Sequence, residues 1–324
     1  MIYNIAYPIY HTFTADDLEK INYQILKDNE SVYNGVIYPM KTGPIKIDIS
    51  PIIREYIKVN YEDVIDGKSD VNYNISEVVE FTVESVKYKV IYDYNLDYIN
   101  IKDDKGCLNN YIDGVISQYQ SLYISNYNLN EGYIIKMFIN NKEFLNKDLN
   151  GGDYIKCYKI NMAEFVLKPK DKVRIMVIND DEVKEFNFIV INDCGEQFVV
   201  HYVNTVGGLD SLLCYGKNTK NVITEEIKIE HREGLSSKTQ FNTSIIEKKL
   251  TKAYELNTGL LNDTQSERII ELLSASQVWI EDIRRDRIIS ANLKDNRMKV
   301  KKYKNNKIVN YTLNFEENKK YLIR

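Results

Sequence analysis

The sequence has little of several residues whose abundance marks particular protein classes. Its 324 residues include five prolines, 14 glycines, four cysteines, three histidines and one tryptophan. The low proline and glycine content excludes a collagen-like chain and a long low-complexity tail. No apolar run approaches the roughly 18 residues that a membrane-spanning helix needs, so we expect no membrane partner. The length is sufficient for two or three domains with cores of their own.

Export signals and paired cysteines are also missing from the sequence. The N-terminus, MIYNIAYPIYHTFTADD, has neither the basic and apolar regions nor the cleavage site of a signal peptide, which predicts synthesis and use without export. Cys107, Cys157, Cys194 and Cys214 are scattered without a CxxC pair. This spacing predicts reduced, mostly buried thiols rather than disulfides or a zinc site.

Tyrosine and uneven charge distinguish the sequence. Its 26 tyrosines suit half-buried strands and wet interfaces. The net charge is −4, but residues 284–324 contain 13 Lys and Arg against four Asp and Glu, a charge of +9, so the remainder carries −13. Such asymmetry favours contact with an acidic surface, either a protein neighbour or DNA, although a solvated basic strand face has the same pattern.

The order of apolar patterns predicts a mainly β fold with minor α, in three units. Short strand patterns separated by turn residues predict two β-sandwich-like units, residues 1–115 and 116–195. Residues 196–324 predict a mixed β/α unit with one long helix and a C-terminal hairpin. We place that helix after a Thr264 cap with Glu267 at the capping-box position, and the hairpin in strands 288–303 and 307–315. The apolar pattern of the long helix ends near Trp279. A modest helix capped by Thr14 is predicted within residues 1–28 and a helical turn after Ser50-Pro51. Strands are predicted at residues 198–203, 225–230 and 250–256, and turns at Asn140-Asn141 and Asn305-Asn306.

The stretch FVVHYVNTVGGLDSLLCYGKNTK, residues 198–220, raises the question of a nucleotide loop. A phosphate loop needs a glycine five residues before Gly216 and Ser or Thr after Lys217, but Ser211 and Asn218 stand there. We therefore predict a hairpin instead. Gly207 and Gly208 would supply positive φ, Asp210 would bond back to the turn backbone, and Gly216 would end the second strand.

No arrangement in the sequence indicates catalysis, a metal or a cofactor. His11, His201 and His231 stand apart, outside any HExxH or Cys pair, and the GxSxG elbow of a hydrolase is missing. We therefore expect a non-enzyme with no catalytic, cofactor-binding or metal-binding residues. The candidate interface residues are the one tryptophan, predicted to be a core or interface anchor, and basic residues near the C-terminus: Trp279, Arg284, Arg285, Lys299, Lys301, Lys302, Lys304 and Arg324.

Several segments of the sequence resemble a module in virion structural proteins of tailed phages that infect Bacteroidetes, most closely the short-tailed crAss-like phages. A strand turn, a helix start and a final strand carry the resemblance, and residues 32–57 resemble an N-terminal element of such proteins. Leu209 and Leu260 stand where the family often has aromatic residues. The matching positions are Tyr202, Val203, Asn204, Gly207, Gly208, Asp210, Thr258, Gly259, Leu261, Asp263, Ser266, Tyr311, Thr312 and Arg324.

The resemblance implies a structural protein of the phage tail, neck or collar, assembled as a ring or hub around the DNA channel. The implied partners are further copies of the chain with portal-matched symmetry, other tail, neck or portal proteins, and incidentally DNA. The implied location is the virion tail, after assembly in the host cytoplasm. Two alternatives stay open: a receptor-binding or fibre-adaptor protein with glycan sites in sandwich loops, and a glycan-degrading enzyme.

Overall fold

The computed structural model describes most of the chain and confirms a mainly β fold with minor α. It leaves out residues 1, 5–7, 16–18, 58, 78, 92–105, 111–113, 128–131, 151–153, 180–181, 193–194, 206, 231–242, 296–307, 320 and 324. Among the residues described, strands form several sheets and the longest helix has 12 residues. Within that part of the chain, no helix is long and apolar enough to cross a membrane.

The N-terminal part forms two sheets that share one core with a short helix. The strand order of the larger sheet is β1-β8-β7-β3-β4, and β2 pairs with β5 in a separate two-stranded sheet. Ile25, Phe81 and Ile53 are buried together in their shared core. The element bounds are β1 Ile2–Asn4, β2 Tyr10–Ala15, β3 Ile21–Lys27, β4 Glu30–Ile37, β5 Gly43–Asp48, α1 Ser50–Arg54, α2 Tyr61–Asp66, β6 Asn72–Glu77, β7 Val79–Val83 and β8 Val86–Ile91.

The helix predicted within residues 1–28 is wrong, because strands β2 and β3 occupy the described part of that stretch. The burial of β2 alternates strictly, with His11, Phe13 and Ala15 inside. This period of two outweighs the spacing of Ile21 and Ile25 that suggested a helix, since alternate strand residues face one side of a sheet. The predicted helical turn after Ser50-Pro51 is confirmed as α1.

Two sheets pack face to face in the middle of the chain. The outer sheet has the order β10-β16-β15-β12-β13, and the central sheet has the order β6-β14-β11-β9. Leu122 and Ile160 of the central sheet share a core with Ile135 and Ile175 of the outer sheet, which makes this unit a β-sandwich. The bounds are β9 Gly106–Cys107, β10 Gly114–Ile116, β11 Ser121–Tyr127, β12 Tyr133–Ile139, β13 Lys142–Leu149, β14 Tyr154–Asn161, β15 Lys172–Asn179 and β16 Glu182–Val190.

Local turn chemistry and sheet pairing explain how this sandwich is joined. Asn140 and Asn141, predicted as a turn, join β12 to β13 with φ of 50° and 67°, the left-handed conformation of tight hairpins that asparagine tolerates. Strands β6 and β9 precede residue 115 and pair with β14 and β11 of the following segment. The central sheet therefore contains strands from both sides of the first predicted domain boundary, and the boundaries themselves stay predictions.

The C-terminal sheet curls around a third core. Its order is β18-β17-β21-β22-β23-β20-β19, with β24 also paired to β20. Phe198 of β17 contacts Tyr254 of β20, so the two ends of the strand order face each other across this core, against which Ile269 and Leu272 of helix α3 pack. The bounds are β17 Phe198–Val203, β18 Leu209–Cys214, β19 Thr219–Glu230, β20 Thr243–Asn257, α3 Asp263–Ser274, β21 Val278–Asp282, β22 Arg287–Leu293, β23 Thr312–Glu317 and β24 Tyr321–Ile323.

Two details predicted for this unit differ in the structure. The helix begins after Asn262 rather than at a Thr264 cap, because Asn262 and Gln265 form a reciprocal capping box. Strands β22 and β23 pair antiparallel as the predicted C-terminal hairpin requires, but both are shorter than predicted: β22 ends at Leu293, with residues 294–295 outside it, and β23 begins at Thr312. The predicted turn at Asn305-Asn306 lies outside the described residues.

The central sheet is covered on both faces. Its second face, with Tyr123 and Tyr127 of β11, packs on Val64 of α2 and on Leu209 and Trp279 of the C-terminal sheet. The molecule therefore has consecutive layers: outer sheet, central sheet, C-terminal sheet and α3. The interface between the central and C-terminal sheets contains three of the residues that the sequence singled out: Gly208, Asp210 and Trp279.

Candidate functional site

The turn between β17 and β18 has the hairpin geometry predicted for residues 198–220. The strands pair from Phe198 with Cys214 to Val203 with Leu209. Gly207 adopts a φ of +83°, which confirms its predicted left-handed conformation. Asn204 holds the turn through two hydrogen bonds with Gly208. The Asn204 side-chain oxygen accepts from the Gly208 backbone amide at 2.8 Å, and the Asn204 backbone amide donates to the Gly208 carbonyl at 2.9 Å.

Gly208 is required for a different reason from the one predicted. Its φ lies outside the left-handed region, but a Cβ atom there would stand 2.6 Å from the Leu108 carbonyl oxygen. The Asn204 side chain donates to the same carbonyl at 2.8 Å. Backbone of the loop before β10 therefore approaches the turn so closely that only glycine fits. This contact is between segments about 100 residues apart, and no local pattern could predict it.

Asp210 is completely buried and accepts hydrogen bonds from outside its own turn backbone, contrary to the prediction. Its two oxygens accept from Asn109 Nδ2 at 2.9 Å, the Asn110 amide at 3.1 Å and Asn204 Nδ2 at 3.0 Å. Burial raises the pKa of Asp210, although the Arg268 charge and these donors oppose the shift. The carboxylate thus joins the turn to the 108–110 loop.

Asn109 and Ser125 extend these contacts into the central sheet. Asn109 accepts from the Ser125 amide at 2.6 Å and donates to the Tyr123 carbonyl at 2.8 Å, both on β11. Ser125 Oγ accepts from the Leu209 amide at 2.9 Å. We call Asn109, Ser125, Asn204 and Asp210 the polar seam. It hydrogen-bonds the two sheets in one register, as satisfied buried networks do.

The other segments that carry the resemblance contact each other beside α3. The Thr258 amide donates to the Tyr311 carbonyl at 2.9 Å, and the Tyr311 amide donates to Thr258 Oγ1 at 3.1 Å. Leu261 and Val309 exchange two backbone bonds of 2.7 and 2.8 Å. Gly259, with φ of +72°, lies against the Tyr215 ring. The matching positions near α3 and the final strand therefore build one local structure.

A buried Ser–His–Glu series lies next to the polar seam. His201 Nδ1 is 2.8 Å from Ser211 Oγ, and His201 Nε2 is 3.0 Å from Glu281 Oε2. Because a carboxylate only accepts, Nε2 donates to Glu281, and the Ser211 hydroxyl, which can donate or accept, pairs with Nδ1. The His201 side chain has no exposed surface, which denies access to a substrate. The series links β17, β18 and β21 as a structural contact that sequence spacing did not reveal.

The described residues do not bring together a metal site, and their thiols are not activated. In the described part of the chain, no group of three or more His, Cys, Asp or Glu could hold a metal ion. Cys107, Cys157 and Cys214 are free, and burial raises their pKa values to about 11, 12 and 12. Thiols with such pKa values are poor nucleophiles. Cys194 lies outside the described residues.

The candidate interface residues differ in their exposure, and some lie outside the described part of the chain. Trp279 is only 5% exposed and packs near Tyr61, at 6.4 Å between ring centroids, so it is a core residue. It lies on β21 rather than at the helix end where the sequence pattern placed it. Arg284 and Arg285 are exposed in the 3₁₀ turn Ile283–Arg285. Four lysines and the last residue lie outside the described part: Lys299, Lys301, Lys302, Lys304 and Arg324.

Strands β19 and β20 form a long antiparallel pair, which we call the arm. Strand β19 has 12 residues, about 40 Å of extended chain, and is the edge strand of its sheet. Residues 221–228 are all exposed, and Val222, Ile223 and Ile227 are 61%, 47% and 47% exposed. An exposed edge strand is a template for pairing with another chain. The sequence patterns predicted only parts of these strands, residues 225–230 and 250–256, and not this exposure.

Comparisons with known proteins leave the assignment to physical reasoning. No protein-family model matches the chain, and no curated protein is significantly similar to it.

Proposed function

We propose that this chain is a non-enzymatic structural component of a phage virion, a ring or hub protein of the short tail or collar. It assembles with copies of itself and with neighbouring tail proteins around the DNA channel. The resemblance of the turn, helix-start and final-strand segments supports this proposal. The polar seam and the Thr258–Tyr311 contacts give those segments structural roles, which suits a protein whose function is assembly.

The observation that carries the proposal is the arm. Its edge strand exposes Val222, Ile223 and Ile227 among charged residues of both signs, Glu225, Glu226 and Lys228. An exposed edge strand is a template for pairing with another chain, and charges along it restrict which chain can pair there. Within its described length, β19 contains no proline, and its pairing with β20 is irregular at one position, between Ile227 and Lys228. A second chain that adds a strand here would cover both the backbone groups and the apolar side chains.

The experiment is to place charges on the arm and measure self-association. We expect the purified chain to form oligomers by size-exclusion chromatography with light scattering, and Ile223→Lys with Ile227→Lys to reduce them to smaller species. The control is Val166→Lys, which changes a 91% exposed apolar residue away from the arm. An oligomer unaffected by the arm variant would remove the arm from the interface. A monomeric wild-type chain at high concentration would contradict the proposal.

A polar cavity gives the receptor-binding alternative a specific basis. It measures about 550 Å³, a size typical of small-ligand sites, and lies between the end of α3, β21 and β22. Its hydrogen-bonding residues include Glu62, Gln277, Asn292, Asp295 and Asn318, the amide and carboxylate groups that bind sugar hydroxyls. A glycan array would test this alternative: a defined glycan whose binding is lost in Asn292→Ala would favour it over a purely structural role.

A further inference from the structure

A second cavity, of about 170 Å³, opens where β19 and β20 face β21 and β22. Its apolar lining includes Val222, Tyr254, Ile280 and Ile289. Four cationic side chains also line it: Lys220, Lys252, Arg285 and Arg287. We call this feature the cationic cavity. It lies at the base of the arm, apart from the polar seam.

Carboxylates of the same chain hold part of this cationic group in place. Lys220 Nζ is 2.9 Å from Asp282 Oδ2 and 3.7 Å from Glu196, and Arg285 Nε is 3.8 Å from Asp282. These pairs place the cations without removing them from solvent, since the Arg285 side chain is 64% exposed.

The opposite side of the cavity has the same arrangement around one acid. Arg287 is 2.9 Å from Glu317, and Lys252 is 3.9 Å from the same carboxylate. The Glu317 side chain is 3% exposed, whereas the Arg287 and Lys252 side chains are 43% and 34% exposed. Each acid therefore orients cations that still reach the cavity mouth.

The lining of the cavity is predominantly cationic. Four cations line it against one carboxylate, that of Asp282. The cavity therefore suits an acidic side chain. The apolar lining also suits the methylene groups of an Asp or Glu side chain.

We propose that the cationic cavity receives an Asp or Glu side chain from a second copy of this chain. The inference rests on the proposed function and specifies one contact of that assembly. Charge complementarity supports a second copy as the occupant, because residues 1–283 carry a net charge of −13 and present acidic surface to a neighbour. The position at the arm base brings this contact next to the edge strand that we assign to pairing.

We take this contact to be heterologous, because a ring requires each copy to bind its two neighbours through different surfaces. Heterologous contacts that close generate rings. A copy with a blocked cavity can still offer its acidic surface, but it cannot accept a neighbour. Mixed into wild-type protein, it therefore ends the growing assembly, an effect that an isologous contact would not produce.

The test is charge reversal at Arg285 with a matched control at Arg284. Both arginines are exposed in the same 3₁₀ turn, but only Arg285 lines the cavity. Sedimentation of the full chain at low and high salt should show Arg285→Glu weakening self-association about tenfold or more at low salt, with Arg284→Glu near wild type. Arg285→Gln should fall between them, and circular dichroism verifies that each variant is folded.

The outcomes separate the inference from the proposed function. A tenfold loss confined to Arg285→Glu, with substoichiometric Arg285→Glu shortening wild-type assemblies, supports the cavity as an acid-binding contact. If the wild-type protein self-associates and the two charge reversals weaken its association equally, or neither weakens it, the cavity contact is wrong and the ring proposal remains. Wild-type protein that does not self-associate overturns the proposed function itself.

Discussion

The polar seam makes a quantitative prediction for the substitution Asp210→Ala. The carboxylate accepts three hydrogen bonds of 2.9, 3.1 and 3.0 Å from Asn109, Asn110 and Asn204, and none of its surface is exposed. Asn109 Nδ2 keeps the Tyr123 and Leu209 carbonyls as acceptors. The loss therefore falls on the Asn110 amide and Asn204 Nδ2, at roughly 1–3 kcal/mol for each buried donor that loses its acceptor. Loss of a charge that burial disfavours offsets part of the cost. We expect Asp210→Ala to lower the free energy of unfolding by about 3–5 kcal/mol.

Urea unfolding followed by tryptophan fluorescence is the assay for this prediction. The single tryptophan, Trp279, packs at the interface that the seam joins, so its emission reports that interface. The control is Asp171→Ala, because Asp171 also accepts from a backbone amide and an asparagine, Lys168 and Asn140, but near the surface. We expect the control to cost below about 1 kcal/mol. Equal losses in the two variants would refute the seam's role in holding the sheets.

Three further predictions concern the same interface. Gly208→Ala should lower the free energy of unfolding in urea by about 1–3 kcal/mol, because its Cβ would meet the Leu108 carbonyl. An unchanged free energy of unfolding would show that the loop moves to accommodate the methyl group. Burial and the Asp210 charge raise the pKa of Glu271 from 4.5 to about 7, so the native state holds this proton and stability falls as pH rises between those values. The variant Glu271→Gln should lack this fall in stability. At pH 8 its free energy of unfolding should exceed that of the wild type by about 1–2 kcal/mol, a figure reduced for partial solvent exposure. The control variant Glu267→Gln, on the same helix, should retain the fall. Cys157, with its pKa raised to about 12, should react with a thiol reagent at pH 8 only after unfolding; fast labelling of that thiol in native protein would contradict its burial.

Local patterns in the sequence were sufficient for the elements with strong local signals. Strand β17, from Phe198 to Val203, has the predicted bounds, and the Asn140-Asn141 turn is where predicted. Both depend on neighbouring residues only. The prediction of an N-terminal helix was wrong because the apolar spacing there fitted both the helical period of 3.6 and the strand period of two. The pairing of β2 and β3 with other strands selects the strand period.

The contacts that define the candidate site depend on residues far apart in sequence. Asp210 was identified as a turn residue, but its partners Asn109 and Asn110 are about 100 positions away. The same holds for the close approach of Gly208 to Leu108 and for the pairing of His201 with Glu281. The first two contacts follow from the stacking of two sheets and the third from the pairing of β17 with β21. One sequence does not encode either in a local pattern.

The charge asymmetry of the sequence acquires a more specific meaning from the structure. The basic C-terminal segment suggested a broad contact surface, yet five of its seven candidate residues lie outside the described part, and the eighth candidate, Trp279, is a core residue. Of the segment's described basic residues, Arg285 and Arg287 line the cavity at the base of the arm. The interface hypothesis therefore narrows to Arg285 and the exposed edge beside it.

Electron microscopy of the purified full-length chain, combined with mass photometry, tests the ring proposal most directly. The account predicts one dominant oligomer whose class averages show a closed ring with rotational symmetry, and its loss in the arm variant Ile223→Lys with Ile227→Lys. A particle of 38.0 kDa at every concentration, or open filaments without closure, would contradict it.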